Sequence, residues 1–570
     1  MSAPLRVSIL SNYTLDPLKD FLARELEGAG LAGEIRIGPF GAYAQEILNP
    51  ESAHHRFEPD VTILALAPGP LFGRLLERFW ELPAEARRGE VARVVEEIAA
   101  LLEAQAARGR GVVLVHNFVI PSNPVLGLHD ARDPFGERAL IAAANAELAA
   151  ACRKQSGAYL VDVEALAGRI GKDAWTDPKL VFLARMEVAR GPIEALARET
   201  MRFIRALTGR SRKALVLDLD NTLWGGIIGE DGLSGIRLGD AAPGNAYAAF
   251  QRRLLALHRR GVLLAVNSRN NPEDAIEALE SHPDMALKPE HFAAMRINWR
   301  SKVENMRDIA RELNLGLDAL AYWDDDPTER ERMRALLPEV LTIEVPRDPA
   351  LYERALAAIT DFDALTLTEE DRSRGRMMAE GRARTQARAR FETEDDFLQS
   401  LDIRATVSAP DAVTLPRFAQ LTARTNQFNL TTRRYTEADL ARMTQAGMTA
   451  RGLRVADRFG DEGWVGFALF DRGKDGTRAR LDTFLLSCRI LGRRIEHAFL
   501  AACLEELRAA GVRRVEAAFR PSAKNAICEG FLAEVGFAET GSDEAETSYA
   551  IDLSSGSPAI PPHVAFNRDA

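Results

Sequence analysis

Asp218 and Asp220 end an apolar run, ALVLDLDNTLWGGIIGED from Ala214 to Asp231. A strand repeats its side-chain direction every second residue, so the two carboxylates share a face. Both can converge on one metal ion and one phosphorus atom, with Thr222 following to hold phosphate oxygens. A carboxylate attacks phosphorus to give an aspartyl-phosphate when a hard cation offsets the repulsion between the two anions. The neighbouring carboxylate then moves protons for the leaving group and for water.

Three later segments supply the rest of such a site. GVLLAVNSRN, Gly261 to Asn270, reads as a buried strand ending in Ser268, whose hydroxyl suits a phosphate oxygen. NWRSKVEN, Asn298 to Asn305, brings the positive charge of Lys302. A third strand from Leu320 runs through Trp323 into Asp324, Asp325, Asp326 and Pro327. Adjacent aspartates at a strand end repel one another strongly unless a cation binds there.

In this order the four elements resemble the haloacid dehalogenase (HAD) superfamily of phosphatases and phosphotransferases. The wording LDLDNTLWGGIIGEDG, LAVNSRN and YWDDDPTERE looks like its FkbH-like group, the subfamily IIIC phosphatases, and the likeness covers nearly the whole chain. Members often carry Asn where this chain has Asp326, so negative charge is added beside the metal. The resemblance implies a nucleophile at Asp218, a general acid/base at Asp220, and phosphate ligands at Thr222, Ser268 and Lys302. It further implies Mg²⁺ held by Asp218, the main-chain carbonyl of Asp220, and Asp324 with help from Asp325. An all-oxygen shell of this kind suits Mg²⁺.

The elements that must position these residues read as an α/β multidomain chain. At 570 residues it is long enough for three or four domains, each with its own core. A net charge of −10 argues against a nucleic-acid binder, which usually carries a basic face. Neither a membrane span nor a signal peptide is read, so a cytoplasmic protein is expected. Cys152, Cys488, Cys503 and Cys528 are too scattered for a disulfide framework or a zinc site.

Residues 1–207 alternate apolar strands such as RVSIL, VTILALA and GVVLVHNF with helices, which predicts a doubly wound parallel sheet. Ser11-Asn12 and His116-Asn117 fall at strand ends, where ligands bind such sheets. The region resembles an SGNH-hydrolase-like domain, yet WTDPKLVFLARM stands where a late Asp-x-x-His pair would complete a triad, so it is expected to be noncatalytic. Residues 208–350 are read as the Rossmann-like HAD domain. The Thr222–Ser268 interval, with its hairpin-like WGGIIGEDGLSGIRLG, and the Ser268–Lys302 interval leave no room for a large cap. Residues 351–395 are read as a charged helical linker, with seven arginines from Arg372 to Arg390, a solvated helix face or a dock for an acidic partner.

Residues 396–555 resemble the GNAT-like acyltransferase domain of the FkbH group, on LTARTNQFNLTTRRYT, DTFLLSCRILGRRIE and FRPSAKNAICEGFLAEVGF, with a flexible tail at 556–570. In Arg489–Arg494, Arg494 stands where the GNAT loop expects a small residue, which weighs against acetyl-CoA and leaves a carrier's phosphopantetheine. Cys488 ends an apolar run beside Arg489, Arg493 and Arg494. It reads either as a nucleophile activated by those charges and a helix N-terminus, or as a small core residue.

The implied activity is glyceryl transfer from 1,3-bisphosphoglycerate to an acyl carrier protein thiol, with removal of the remaining phosphate of this three-carbon acid. The alternatives are a HAD phosphatase for another phosphorylated small molecule or carrier-linked intermediate, and a GNAT-type acyltransferase with a structural HAD domain.

Overall fold

The computed structural model describes residues 4–108, 111–367, 384, 387–388, 391–473, 475–543 and 545–566. Within these, three sheets carry separate cores, and the chain is α/β.

One compact unit comprises Met1–Ile204 and Tyr435–Met443. Its strands are β1 (Leu5–Ser11), β2 (Gly33–Ile37), β3 (Val61–Ala65), β4 (Val112–His116) and β5 (Ala158–Val161). They are all parallel, in the order β2-β1-β3-β4-β5. Every residue of β3 and β4 is buried, as a sheet covered on both faces requires. The strand order reverses between β1 and β3, the place where a doubly wound sheet opens a crevice.

The second unit, Arg205–Arg434 with Thr444–Ala570, contains the other two sheets. The first is built from β6 (Ala214–Leu217), β7 (Leu263–Ser268), β8 (Phe292–Ile297), β9 (Leu320–Trp323) and β10 (Leu341–Thr342), parallel and ordered β10-β9-β6-β7-β8. Central β6 alternates two ways. Leu215 and Leu217 join Leu264, Val266 and Trp323 in one cluster, while Ala214 and Val216 join Ala265 and Tyr322 in another.

Helix Gly244–Arg259 and helix Pro272–Ser281 occupy the two intervals expected to lack a cap, and neither interval holds an inserted domain. The hairpin-like segment is closed by the Gly225↔Arg237 bridge, but its tip is a short helix, Ile228–Gly235. Gly226 turns the chain there at φ 98°, and an added Cβ would meet Asp231 Oδ2 at 2.5 Å, so only glycine fits.

The boundary expected at 350 moves. Tyr352, Leu356 and Phe362 belong to the same cluster as Leu217 and Trp323, and Tyr352 meets Phe250 and Trp323 edge-on at 5.4 and 5.6 Å. Apolar side chains carry this stretch into the domain core, so a linker cannot begin there. The charged segment Glu369–Phe391 falls almost wholly outside the described residues. Arg384, which is described, is buried and pairs with Asp457 and Glu462.

The third sheet runs β17-β18-β16-β15-β14-β13-β11-β19, with β12 beside β15. Its strands are β11 (Ile403–Ser408), β12 (Phe428–Asn429), β13 (Thr449–Asp457), β14 (Gly460–Arg472), β15 (Arg478–Leu486), β16 (Arg514–Phe519), β17 (Ala538–Ser542), β18 (Thr547–Asp552) and β19 (Val564–Phe566). Helix Ile495–Ala509 buries Ile495, Phe499 and Leu504 against it. The expected flexible tail is corrected in part, because β19 pairs in parallel with β11 through Ile403↔Val564 and Ala405↔Phe566. Val564 is buried in the sheet's core.

Candidate active site

Strand register assembles the site. Leu217 is the partner of both Trp323 on β9 and Val266 on β7, and the Asp218 amide donates to Trp323 O at 3.0 Å. The residues that follow these strands, Asp218, Asp324 and Asp325, therefore meet Ser268 at one end of the sheet. Ligand oxygens of the three aspartates lie within 4.8 Å of one another.

Lys302 begins helix Lys302–Glu312 and is 4% exposed. Its Nζ lies 3.0 Å from Asp218 Oδ2 and 2.6 Å from Asp324 Oδ2. Asn267 fixes the lysine's main chain by donating to Lys302 O at 2.8 Å, and Asn305 donates to Asn267 Oδ1 at 3.2 Å. Two buried anions hold the ammonium in its charged form, above its ordinary range.

Burial pushes the Asp218 carboxyl up to about 6; Lys302 opposes this and Asp324 adds to it. Asp325 is pushed up to about 7, chiefly by burial and then by Asp218 and Asp324. Asp218 Oδ1 is buried with no hydrogen-bond partner among the described residues, and it is the oxygen left to react or to bind. Three carboxylates against one ammonium leave an excess of negative charge that a divalent, oxygen-seeking cation would balance. The donor set fits Mg²⁺.

The other expected residues take distinct places. Asp220 stands outside the three-carboxylate group. Its Oδ1 accepts from Trp224 Nε1 at 2.9 Å and from the Ile228 amide at 3.0 Å, and its Oδ2 accepts from Asn270 Nδ2 at 2.7 Å. A metal role for Asp220 would thus rest on its main-chain carbonyl. Ser268, 1% exposed, ends β7 beside Asp218 and favours the ionised form of its carboxyl. Thr222 donates to Asp325 Oδ1 at 3.3 Å, so in this state it organises the aspartates.

Several residues were not singled out from the sequence. Tyr322 donates to Asp324 Oδ2 from within the sheet. Arg330 Nη1 donates to the main-chain oxygens of Asp324 and Asp325, both at 2.8 Å, and shapes the aspartate turn. Trp224 and Asn270 clamp Asp220. Asn270 stands two residues past Ser268 in LAVNSRN, and its position at a strand end was the available signal.

Cys488 lies elsewhere. It opens a single 3-10 turn after β15 and is partly buried. Asn314 Nδ2 donates to Cys488 O at 3.2 Å. Asn314 follows the far end of the helix that Lys302 begins, so about 16 Å of helix separates that contact from the aspartates. The activating surroundings expected of Cys488 are engaged otherwise. Arg493 pairs with buried Asp457 and Glu462, both at 3.1 Å, Arg494 lies 3.6 Å from Asp395, and the next α-helix starts only at Ile495. Arg494 caps that helix at φ 54°, a left-handed conformation glycine adopts more readily.

At the N-terminal strand ends, Ser11 Oγ donates to Tyr13 O, and Asn12 clasps Ala67 through both of its main-chain groups. Asn117 binds Asp162 and the Glu164 amide. Within WTDPKLVFLARM, Asp177 caps helix Pro178–Ala184.

No protein-family model matches the chain, and no curated protein does. Among solved structures it is similar to the N-terminal part of the protein BF1531 from Bacteroides fragilis, which contains a phosphatase domain complexed with Mg. The two are 26% identical with a TM-score of 0.58, over 64% of this chain and 96% of that one. About a quarter of the chain is also similar to the ribosomal-protein-S18-alanine N-acetyltransferase of Escherichia coli, at 18% identity and TM-score 0.21, covering 26% of this chain and 94% of that one. The PaiA N-acetyltransferase of Thermoplasma acidophilum, in complex with coenzyme A, shows 12% identity and TM-score 0.21, covering 26% and 98%.

Proposed function

We propose that the chain is a Mg²⁺-dependent phosphatase of the HAD type that works through an aspartyl-phosphate at Asp218. The observation that carries this is the buried Asp218–Lys302–Asp324 cluster at the strand ends, with Asp218 Oδ1 free. The Mg-bound phosphatase domain of the Bacteroides fragilis protein supports the choice of metal. Asp218, Asp324 and Asp325, with the Asp220 carbonyl, would hold the ion, which when bound offsets phosphate charge.

The protein's own groups carry the steps. Asp218 Oδ1 attacks phosphorus, the bond from phosphorus to the leaving oxygen breaks, and Asp220 gives that oxygen a proton. Water then attacks the aspartyl-phosphate, Asp220 takes its proton, and inorganic phosphate leaves. Lys302 and Ser268 steady the nucleophile and phosphate oxygens throughout, and the clamp of Trp224 and Asn270 aims Asp220.

For the substrate we infer a phosphorylated three-carbon acid. An acyl phosphate such as 1,3-bisphosphoglycerate meets the thiol of a phosphopantetheinylated acyl carrier protein; the carbon–sulfur bond forms, phosphate leaves, and Asp218 then acts on the remaining phosphate ester. The uncapped site is the feature that admits so bulky a carrier. The separation of Cys488 from Asp218 favours direct attack by the carrier's thiol over relay through Cys488, and it also fits a phosphatase that only hydrolyses.

The test is phosphate release with Mg²⁺ from p-nitrophenyl phosphate and 3-phosphoglycerate, with intact-mass analysis of the acid-quenched enzyme and of carrier proteins given 1,3-bisphosphoglycerate. A phosphoryl adduct on a peptide containing Asp218 is expected, and it disappears in Asp218→Asn. Turnover by a folded Asp218→Asn protein at the wild-type rate would remove the nucleophile. Phosphate release without any carrier adduct would reduce the function to hydrolysis.

A further inference from the structure

The N-terminal unit has a half-open cavity of about 290 Å³ at the carboxyl ends of β1, β3 and β4, where the strand order reverses. Tyr13, Ala67, His116, Trp175 and Glu187 are among its walls. His116 is 3% exposed, and neither ring nitrogen has a hydrogen-bond partner among the described residues. Buried polar groups are almost always paired, so an imidazole that lines a cavity with both nitrogens unpartnered marks a place for a ligand. Burial holds that ring down at about 4, so it is neutral and offers one donor and one acceptor.

The other walls decide what kind of ligand. Asn117 beside His116 is already committed to Asp162 and Glu164, and Lys172 is bound to Glu164 and Ile120 O at 2.5 and 2.7 Å. Glu187 has no ion pair among the described residues. Its Oε1 lies 3.8 Å from where a Cβ on Gly69 would sit, beside the first turn of helix Pro68–Glu77. The helix end that would attract an anion thus already faces a carboxylate, and the cavity's lysine is spent on Glu164. Ser11, turned onto Tyr13 O, offers His116 no nucleophile.

We propose that this cavity binds a small non-anionic molecule with adjacent hydroxyl or amine groups, an amino-alcohol or polyol, through the His116 ring and the Glu187 carboxylate. Its chemistry is opposite to that of the Asp218 site, which is built for phosphate and a cation.

Three probes share one carbon skeleton and differ in charge: 2-amino-1,3-propanediol, glycerol and glycerate. With the full chain, saturation-transfer NMR and titration should rank the amino-diol about tenfold tighter than glycerol, with glycerate giving no transfer. Glu187→Gln should erase the preference for the amino-diol while keeping glycerol binding. His116→Phe should weaken both by about tenfold at an unchanged thermal midpoint. Glycerate binding as well as the amino-diol, or failure of both glycerol and the amino-diol to bind, would overturn the proposal. Unchanged binding in a folded His116→Phe protein would do the same, and should that variant not fold, the wild-type charge ranking and Glu187→Gln decide alone.

Discussion

Replacing Lys302 by methionine keeps most of the unbranched side chain and removes the charge between Asp218 and Asp324. Both contacts, at 3.0 and 2.6 Å, are buried, and Asp324 is fully buried. Removing one partner of a buried ion pair typically costs about 3–5 kcal/mol, because the remaining charge has no compensation. For a domain of this size each kcal/mol moves the midpoint by roughly 2–4 °C, so in EDTA the transition of this domain should fall by roughly 6–20 °C. Mg²⁺ binds the native cluster alone, and at about 100 times its dissociation constant it returns about 2.7 kcal/mol. Lys302→Met should therefore regain much of its stability with Mg²⁺. The assay is thermal unfolding with and without the metal, localised by hydrogen exchange of peptides covering β6 and β9. A second variant, Lys302→Met with Asp324→Asn, should be less destabilised than the sum of the singles, since it removes the stranded charge. An EDTA midpoint within a degree or two of wild type, or no larger Mg²⁺ effect in the variant than in wild type, would refute the electrostatic account.

Asn270→Ala frees one side of the Asp220 carboxylate, so kcat for phosphate release should fall several-fold with KM little changed; a loss in KM alone would show that Asn270 binds substrate instead. Asp220→Asn should slow turnover by ~10²-fold or more and accumulate the phosphoryl adduct on Asp218, detected by intact mass. His54, buried between Ser8 Oγ and Gln105 Oε1, is held down at about 4 against its ordinary 6.5. The unfolded chain binds the proton more readily, so His54 contributes stability fully above pH 6.5 and loses it as pH falls toward 4. Urea unfolding at pH 6.5 and pH 5 should differ by about 2 kcal/mol more in wild type than in His54→Gln. Arg384→Ala leaves Asp457 and Glu462, among the described residues, to Arg493, and by the same buried-pair argument it should cost the C-terminal sheet about 3 kcal/mol or more, read as faster exchange of β13 and β14.

The candidate site was legible because Asp218, Ser268, Asp324 and Asp325 stand at the ends of apolar strands, a parallel sheet gathers strand ends at one edge, and Lys302 opens the helix that follows β8. Asp218, Ser268, Lys302, Asp324 and Asp325 all come together as their spacing required. The helpers were hidden for a physical reason. Trp224, Asn270, Tyr322 and Arg330 act only through hydrogen bonds whose partners are fixed by register and by the loop after β6. Domain ends were hidden too, since Tyr352 and Val564 look like linker and tail until one sees which apolar surface they cover. The role of Cys488 was left open between nucleophile and core residue for the converse reason. Proximity in sequence suggested an activated thiol, while Arg493 turns to Asp457 and Glu462 instead.

The parallel pairing of β11 with β19 bears on how the chain is made. About 160 residues separate Ile403 from Val564, so during vectorial synthesis β11 leaves the ribosome long before its outer neighbour exists. Meanwhile the phosphatase-like sheet, complete by Phe362, can close on its own. The nascent C-terminal sheet must wait with one rim of amides and carbonyls bare, the kind of edge that recruits strands from other chains. A protein stopped just before Val564 would keep that rim permanently, and self-association through β11 is the form its failure would take.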